Sequence, residues 1–165
     1  MSSPAELSAS ELPMDSTLTG PVLIIGSGLL GASIGLGLRA AGCEDVYVQD
    51  ISPTAEAVAQ DIGAGTSIST LSEEERAALA PQLVVVAAPP DSAGAVCARA
   101  LNTYAPRPEA GYPGAVVTDV ASVKVQPLAD VLASGADASR YVGSHPMAGR
   151  EKSGPVAARG ELFQA

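Results

Sequence analysis

Residues 21–31 have the sequence P-V-L-I-I-G-S-G-L-L-G, and this stretch decides the fold. Its aliphatic start is typical of a buried strand, and the glycines follow it directly. Apolar residues then recur at the spacing of a helix, at Leu30, Ile34 and Leu38. A G-x-G-x-x-G loop between a strand and a helix is typical of dinucleotide-binding proteins. The stretch therefore predicts the first strand, loop and helix of such a fold.

Each glycine of the loop has a separate expected role. We expect Gly26 to allow a tight turn and Gly28 to let the backbone approach a pyrophosphate. Gly31 is expected to let the helix pack closely on the strand. The free amide groups at the helix start, together with the positive end of the helix dipole, would then receive the phosphates.

The next strand is predicted at residues 46–49, and Asp50 stands at its end. An acid in this place binds both hydroxyls of an adenosine ribose and repels a 2′-phosphate, so we expect NAD rather than NADP. A simpler interpretation is that Asp50 only caps the turn before Ser52 and Pro53. The residues predicted to bind the cofactor are Gly26, Ser27, Gly28, Leu29, Leu30, Gly31 and Asp50, with Ala88 and Pro89 from a later loop.

Composition limits the classes of function. The 165 residues are 47% hydrophobic, which is enough for one domain with a real core. The net charge of −9 argues against a nucleic-acid partner. No apolar run approaches the ~20 residues that span a bilayer, so no membrane association is expected. Two distant cysteines, Cys43 and Cys97, are typical of a reduced, cytoplasmic protein.

Further strands and helices alternate along the chain. Residues 1–19 are rich in Ser, Glu and Pro and predict a disordered tail, which leaves residues 20–165 as the domain. Asp91 is expected to cap one of the helices. We predict strands at 21–25, 46–49, 83–88, 115–118 and 141–144, and helices after the glycine loop and at 54–62, 72–79, 91–104 and 124–134. This alternation predicts an α/β fold, a doubly wound parallel sheet of the Rossmann type.

In such sheets, ligands bind beyond the carboxyl ends of the strands. Segments 87–90, 118–124 and 143–149 are expected at this edge, and they carry Ser122 and His145. His145 is the only histidine, which excludes a multi-histidine metal site within these residues. No G-x-S-x-G is present, so a hydrolase triad is disfavoured. The two side chains could converge on one substrate, although a lone histidine is more often an ordinary residue.

Two motifs make a resemblance specific. T-D-V-A-S-V-K at 118–124 and G-S-H-P-M-A-G-R-E-K-S-G at 143–154 resemble the prephenate/arogenate dehydrogenases of tyrosine biosynthesis. With the glycine loop and Asp50, the resemblance runs from about Pro21 to Phe163. The departures are Ala121, where many relatives carry Gly, and Arg150 at a variable position.

The resemblance implies NAD-dependent oxidative decarboxylation of prephenate to 4-hydroxyphenylpyruvate. It places on His145 the role of accepting the hydrogen of the substrate's C4 hydroxyl, which suits a neutral imidazole. Ser122 would be a second hydrogen-bonding partner of that hydroxyl. Glu151 would belong to a polar network near the substrate entrance, although Glu151 and Lys152 could equally be a solvated helix start.

Members of the family continue into a helical region that forms a dimer and binds the substrate carboxylate. The resemblance thus implies a chain truncated before a helical C-terminal domain, and a homodimer for the full-length enzyme. Alternative functions are arogenate dehydrogenase, a truncated non-catalytic NAD-binding module, and a different Rossmann reductase acting on a hydroxy acid or an imine. The motif around His145 argues against the last of these, whereas the choice between prephenate and arogenate stays open.

Overall fold

The structure, a computed structural model, describes residues 18–146 and 154–160. The predicted N-terminal tail, apart from residues 18 and 19, lies outside these ranges, and so does the predicted site residue Glu151. None of the helices within the described ranges is long and apolar enough to cross a membrane.

The described residues alternate between strands and helices, as the sequence predicts. The strands are β1 Val22–Ile25, β2 Val46–Gln49, β3 Thr66–Ser67, β4 Leu83–Val86, β5 Val116–Asp119 and β6 Tyr141–Gly143. The α-helices are α1 Leu29–Ala40, α2 Pro53–Asp61, α3 Glu73–Ala78, α4 Pro90–Thr103 and α5 Val125–Ala133.

The strands form one sheet in the order β3-β2-β1-β4-β5-β6. All neighbouring strands are parallel. The first three strands are added toward one edge of the sheet, β2 and β3 on one side of β1. The last three, β4 to β6, are added toward the other edge, so the order of strand addition reverses between β1 and β4. The predicted α/β fold with a doubly wound, Rossmann-like parallel sheet is thereby confirmed, and the reversal marks where ligands bind in such folds.

Two apolar cores cover the two faces of the sheet. Alternate residues of β1 point to opposite faces, with Val22 and Ile24 in one core and Leu23 in the other. The first core also contains Ala32 and Ala59, which come from α1 and α2. The second core contains residues from α4 and α5, including Cys97, Leu101 and Val131. Helices therefore pack on both faces, which is why the central strands are apolar throughout.

Two predicted boundaries were wrong near β4. The strand predicted to reach Ala88 ends at Val86, and Pro89 rather than Asp91 is the N-cap of α4. The carbonyl oxygen of Pro89 accepts the amide hydrogen bond of Ala93 at 2.9 Å, and Pro90 occupies a first-turn position where its missing N–H costs nothing. Asp91 lies in the first turn, where its negative charge suits the helix dipole.

Strand β3 was not predicted. It has only two residues. Side chains of α2 help to position one of them, since the amide of Ser67 donates to Gln60 Oε1 at 2.8 Å. The glycine inside α1 next to this region also has a structural reason. A Cβ on Gly35 would lie 2.2 Å from the carbonyl oxygen of Ala64, so only glycine lets α1 approach the turn before β3.

The edge strand β6 is fastened at its start by Arg140. The guanidinium of Arg140 donates to the carbonyl oxygens of Leu101 at 2.8 Å, Ala115 at 2.9 Å and Tyr104 at 3.2 Å. It also pairs with Asp137 at 3.1 Å. One side chain thus joins the end of α4, the start of β5 and the start of β6.

Candidate functional site

The glycine loop after β1 lies at the reversal point of the sheet. Gly26 has φ +100°, and a Cβ there would lie 2.5 Å from the carbonyl oxygen of Ala87 in the loop after β4. A Cβ on Gly31 would lie 1.8 Å from the carbonyl oxygen of Gly26. A Cβ on Gly28 would meet no atom within 4 Å. Two of the glycines are therefore required by the fold, whereas Gly28 faces open space that a ligand could fill.

The backbone amides at the N-terminus of α1 have no side-chain cap and face no acidic residue in the first turn, so they can donate to a ligand. Gly28 is the N-cap of this helix and has no side chain, and the first turn contains no acidic residue. The helices α2, α3 and α4, by contrast, each carry an acid in the first turn. The first amide groups of a helix lack intrahelical acceptors, and the dipole makes this end positive. The start of α1 is therefore suited to a phosphate group.

Asp50 closes over the glycine loop from the end of β2. Its Oδ2 accepts hydrogen bonds from the Ser27 amide at 2.6 Å and from Ser27 Oγ at 2.9 Å. Its Oδ1 accepts the amide of Ser52 at 2.8 Å, so Asp50 does cap the following turn. Capping accounts for one of these three hydrogen bonds, because the other carboxylate oxygen accepts two from the loop. Ser27 is fully buried, and its donors are directed to Asp50.

The other residues predicted to bind the cofactor lie around this loop. Leu29 and Leu30 form the first turn of α1 and are half-buried. Ala88 is half-buried and Pro89 is exposed at the start of α4. The loop that carries them is tied to β1, because the Ala87 amide donates to the Ile25 carbonyl oxygen at 2.7 Å. The structure thus brings all the predicted cofactor residues to one edge of the sheet.

Ser122 and His145 lie at the same edge, beyond the ends of neighbouring strands. Asp119 in β5 is in register with Gly143 in β6, and the two side chains of interest follow shortly after these residues. Both Ser122 and His145 are exposed. The segments that carry them are therefore adjacent, with both side chains open to a ligand.

A buried carboxylate joins these two segments. Asp119 is fully buried, and its Oδ1 accepts the amide of Ala121 at 2.9 Å together with the ammonium of Lys124. Its Oδ2 accepts the hydroxyl of Tyr141 at 2.5 Å. Its carbonyl oxygen accepts Ser144 N at 3.0 Å and Ser144 Oγ at 2.7 Å. Asp119 thus holds the turn before Ser122 and the residue before His145 at once.

Lys124 completes the connection. Its ammonium donates both to Asp119 and to the carbonyl oxygen of Ser144, so it bridges the turn after β5 and the segment after β6. Burial raises the pKa of Tyr141 above its ordinary range, and contact with the Asp119 carboxylate raises it further. Tyr141 therefore stays protonated and acts as a donor.

This network was missed in the sequence. The motif T-D-V-A-S-V-K contains its acid and its lysine, and the signal was an acid at the end of a predicted strand. Tyr141 could not be assigned from the motif, because its contact with Asp119 depends on β5 and β6 being neighbours.

The described residues contain no group of three His, Cys, Asp or Glu side chains that could hold a metal ion.

Comparison with known proteins shows which family has these motifs. The profile of the family described as "Prephenate dehydrogenase, nucleotide-binding domain" matches residues 34–165. The chain belongs to the prephenate dehydrogenase family. This confirms the family that the motifs around Ser122 and His145 indicate.

Individual members of the prephenate dehydrogenase family match most of this chain in sequence. The probable prephenate dehydrogenase NovF of Streptomyces niveus is 41% identical over 141 residues, which are 86% of this chain and 34% of the relative. A prephenate dehydrogenase of Lactococcus lactis is 32% identical over 145 residues, 87% of this chain and 38% of the relative. The chain therefore spans little more than a third of the length of these curated relatives.

A solved structure of the family has the same fold. The prephenate dehydrogenase from A. aeolicus, in complex with hydroxyphenyl propionate and NAD+, superposes with a TM-score of 0.73 at 28% identity. The match covers 91% of this chain and 49% of that one. The dinucleotide-binding half of the enzyme is thus the part that this chain shares.

Proposed function

We propose that this chain is the NAD-binding and catalytic-edge part of a prephenate dehydrogenase, which carries out oxidative decarboxylation of prephenate to 4-hydroxyphenylpyruvate in tyrosine biosynthesis. The observation that carries the proposal is the buried Asp119 carboxylate, which joins the segments of Ser122 and His145 beside the glycine loop. A dinucleotide site alone would support many oxidoreductases. The imidazole of His145 and the hydroxyl of Ser122 at the edge of this site favour a reaction in which a substrate hydroxyl loses its proton.

The residues present fit a bound NAD. Gly28 leaves open space at the uncapped start of α1, which suits a pyrophosphate, and the carboxylate of Asp50 stands beside that loop to accept ribose hydroxyls. An acid in this place disfavours the 2′-phosphate of NADP. NAD, when bound, supplies the acceptor for the hydride.

The chain's own residues supply the proton chemistry. In its neutral form, the imidazole of His145 accepts the proton of the substrate's C4 hydroxyl as that carbon becomes a carbonyl-like centre. Ser122 supplies a second hydrogen bond to the same oxygen. C4 gives up its hydrogen as hydride. Loss of carbon dioxide then leaves the aromatic ring as a phenolate, and its oxygen takes a proton back to give the phenol product. Both side chains are exposed at the ends of adjacent strands, where a ring-sized substrate has access to them.

Prephenate is the favoured substrate, because the curated relatives that match most of this chain are named as prephenate dehydrogenases. Arogenate dehydrogenase is the alternative. We propose a homodimer for the whole protein. The free thiols of Cys43 and Cys97 fit a reducing compartment, and we place the protein in the cytoplasm.

A second candidate is a module that binds NAD without turning over substrate. The observation in its favour is that the glycine loop, the start of α1 and Asp50 together offer the groups that a dinucleotide needs. Under this alternative, the glycine loop and Asp50 would bind the dinucleotide, whereas His145 would have no catalytic role.

Two measurements separate these functions. Calorimetric titration of the 165-residue chain with NAD and NADP tests the cofactor, and tighter binding of NAD is expected. NADH formation in the presence of prephenate or arogenate tests the activity. NAD binding with no turnover would support the module, and equal or tighter binding of NADP would contradict the assignment of the cofactor.

A further inference from the structure

Glu56 is a buried acid that the proposed chemistry does not use. It lies in the first turn of α2, and its side chain is 2% exposed. Its Oε2 accepts the backbone amide of Asp50 at 2.9 Å. Its Oε1 accepts the amide of Ser69 at 3.0 Å and the hydroxyl of Ser67. Glu56 is thus bonded to the backbone of the residue proposed to bind the ribose.

The hydrogen bonds show which form of Glu56 is present. A carboxylate accepts hydrogen bonds, and these contacts all come from donors. Burial alone would raise the pKa of Glu56, but the hydrogen bonds from Ser67, Asp50 and Ser69 outweigh it and lower the pKa. Glu56 takes part in neither of the ion pairs of the described residues. It therefore places a negative charge directly behind Asp50.

We infer that Glu56 is a positioning and specificity residue for the adenosine ribose: it fixes Asp50 on the glycine loop and adds a second negative charge that opposes a 2′-phosphate. The inference rests on the proposed binding of NAD. It follows that Asp50 is not the sole determinant of cofactor choice.

Two effects support this role. First, Asp50 is held from both sides, because Glu56 binds its amide while its carboxylate binds the amide of Ser27. Second, a charge fixed in a buried site is screened less by salt than an exposed one. Removal of Asp50 alone therefore leaves an acid near the ribose that cannot swing away, since three donors hold it.

The test is a set of titrations with NAD and NADP on the 165-residue chain. Glu56→Gln keeps the shape of the side chain but removes the charge, and its NH2 group must face a backbone amide that the carboxylate accepts in the parent. We expect the ratio of the Kd for NADP to that for NAD to fall on the order of tenfold, the size expected for one partly screened charge pair. In Asp50→Ser the ratio should fall as well, yet NAD should still bind more tightly than NADP. Only the double variant should lose the preference.

Two control variants separate this role from a loss of fold stability. Ser67→Ala removes another hydrogen bond of Glu56 without touching Asp50, and it should lower Tm while leaving the NADP-to-NAD ratio near that of the parent. Glu75→Gln removes one charge from an exposed capping box on α3 and should leave the ratio unchanged. If Glu56→Gln shifts the ratio no more than these controls do, the inference is wrong.

The remaining outcomes are also distinct. If Glu56→Gln does not fold, Asp50→Ser decides: NADP binding as tight as NAD binding in that variant would overturn the role of Glu56. A parent chain that binds neither dinucleotide would instead contradict the proposed cofactor. A parent that binds NAD, with unchanged ratios in both Glu56→Gln and the controls, would contradict the role of Glu56 alone.

Discussion

The hydroxyl of Tyr141 donates a hydrogen bond to the buried carboxylate of Asp119 at 2.5 Å, from one strand of the sheet to its neighbour. This contact links the edge strand β6 to the buried acid at the end of β5. A hydrogen bond to a buried charge is worth more than an ordinary one, because its loss leaves the charge short of a donor. Tyr141 therefore has a measurable role in both stability and geometry.

Tyr141→Phe should lower the free energy of unfolding by about 1–3 kcal/mol, since it leaves the buried Asp119 with one donor fewer. The full-length protein should also lose kcat, because the segment of His145 is less well held, while its affinity for NAD stays unchanged. Denaturant unfolding and steady-state kinetics measure these effects.

Tyr112→Phe is the matched control. Its hydroxyl donates to the carbonyl oxygen of Pro81 at 2.8 Å, away from the catalytic edge. It should cost about 0.5–1.5 kcal/mol of stability, as expected for a neutral hydrogen bond, with no change in kcat. Equal kinetic losses in the two variants would show that Tyr141 has no special place in the site.

Substitution of two loop glycines should separate binding from folding. Gly28→Ala meets no atom within 4 Å, so the protein should fold with a cost of about 1 kcal/mol or less, from the weaker N-cap. Its affinity for NAD should nevertheless fall at least about tenfold, because the methyl group takes the space proposed for the pyrophosphate.

Gly31→Ala should instead prevent normal folding, because its Cβ would lie 1.8 Å from the carbonyl oxygen of Gly26. Circular dichroism and thermal melts report on the fold, and calorimetric titration reports on the binding of NAD. A Gly28→Ala protein that is folded and binds NAD as the parent does would show that no phosphate approaches this residue.

Replacement of His145 tests the proton acceptor in the full-length protein. His145→Asn keeps a polar side chain but removes the basic nitrogen, and kcat should fall about 10²–10⁴-fold with little change in substrate affinity. Steady-state kinetics at one pH measure kcat and KM in both enzymes.

Ser122→Ala should cost less than His145→Asn, because it removes one hydrogen bond and leaves the base in place. A His145→Asn enzyme with the kcat of its parent would contradict the role of His145 as the proton acceptor.

The two cysteines should differ in reactivity. Burial raises the pKa of the Cys97 thiol to about 12, with the Asp119 charge as a smaller cause, whereas Cys43 is half-buried. Iodoacetamide at mildly alkaline pH should therefore label Cys43 in the native protein and leave Cys97 unmodified, as read by mass spectrometry. Rapid labelling of Cys97 without unfolding would contradict its burial.

The same thiol contributes to stability with a defined sign. Its pKa is higher in the folded chain than its ordinary value of 9.0, so the unfolded chain releases the proton first. This contribution is present below pH 9 and is lost as the pH rises toward 12. Cys97→Ala should flatten that part of the stability profile.

The sequence predicted those parts of the fold that depend on local pattern. The apolar runs of β1 and β4 and the glycine loop are visible because neighbours along the chain determine them. Strand β3 was missed because two residues carry no period, and side chains of α2 help to place it. The N-cap of α4 was predicted at Asp91, which has a side-chain acceptor, but the N-cap is Pro89. Pro89 accepts the hydrogen bond with its backbone carbonyl oxygen, a group that every residue has and that gives no signal in the sequence.

For the site, the sequence predicted which residues gather at the edge but not what holds them there. Ser27 and Asp50 were both candidates for the cofactor, yet their hydrogen bond depends on how the loop after β1 meets the end of β2. Glu56 gave no signal, because an acid in the first turn of a helix is common and its burial is a property of the assembled sheet edge.

Strand β6 is held by its pairing with β5 and by polar contacts at its two ends. Arg140 fastens its start, Asp119 and Lys124 fasten the segment after it, and Val142 in its middle is 57% exposed. Since β6 lies at the end of the strand order and pairs with β5 alone among the described strands, it can open as a local unit while the central strands stay closed. In native-state hydrogen exchange, the amides of 141–143 should exchange at a smaller opening free energy than those of β1 and β4. The edge of the sheet that carries His145 would then open with a free energy of its own, separate from that of global unfolding.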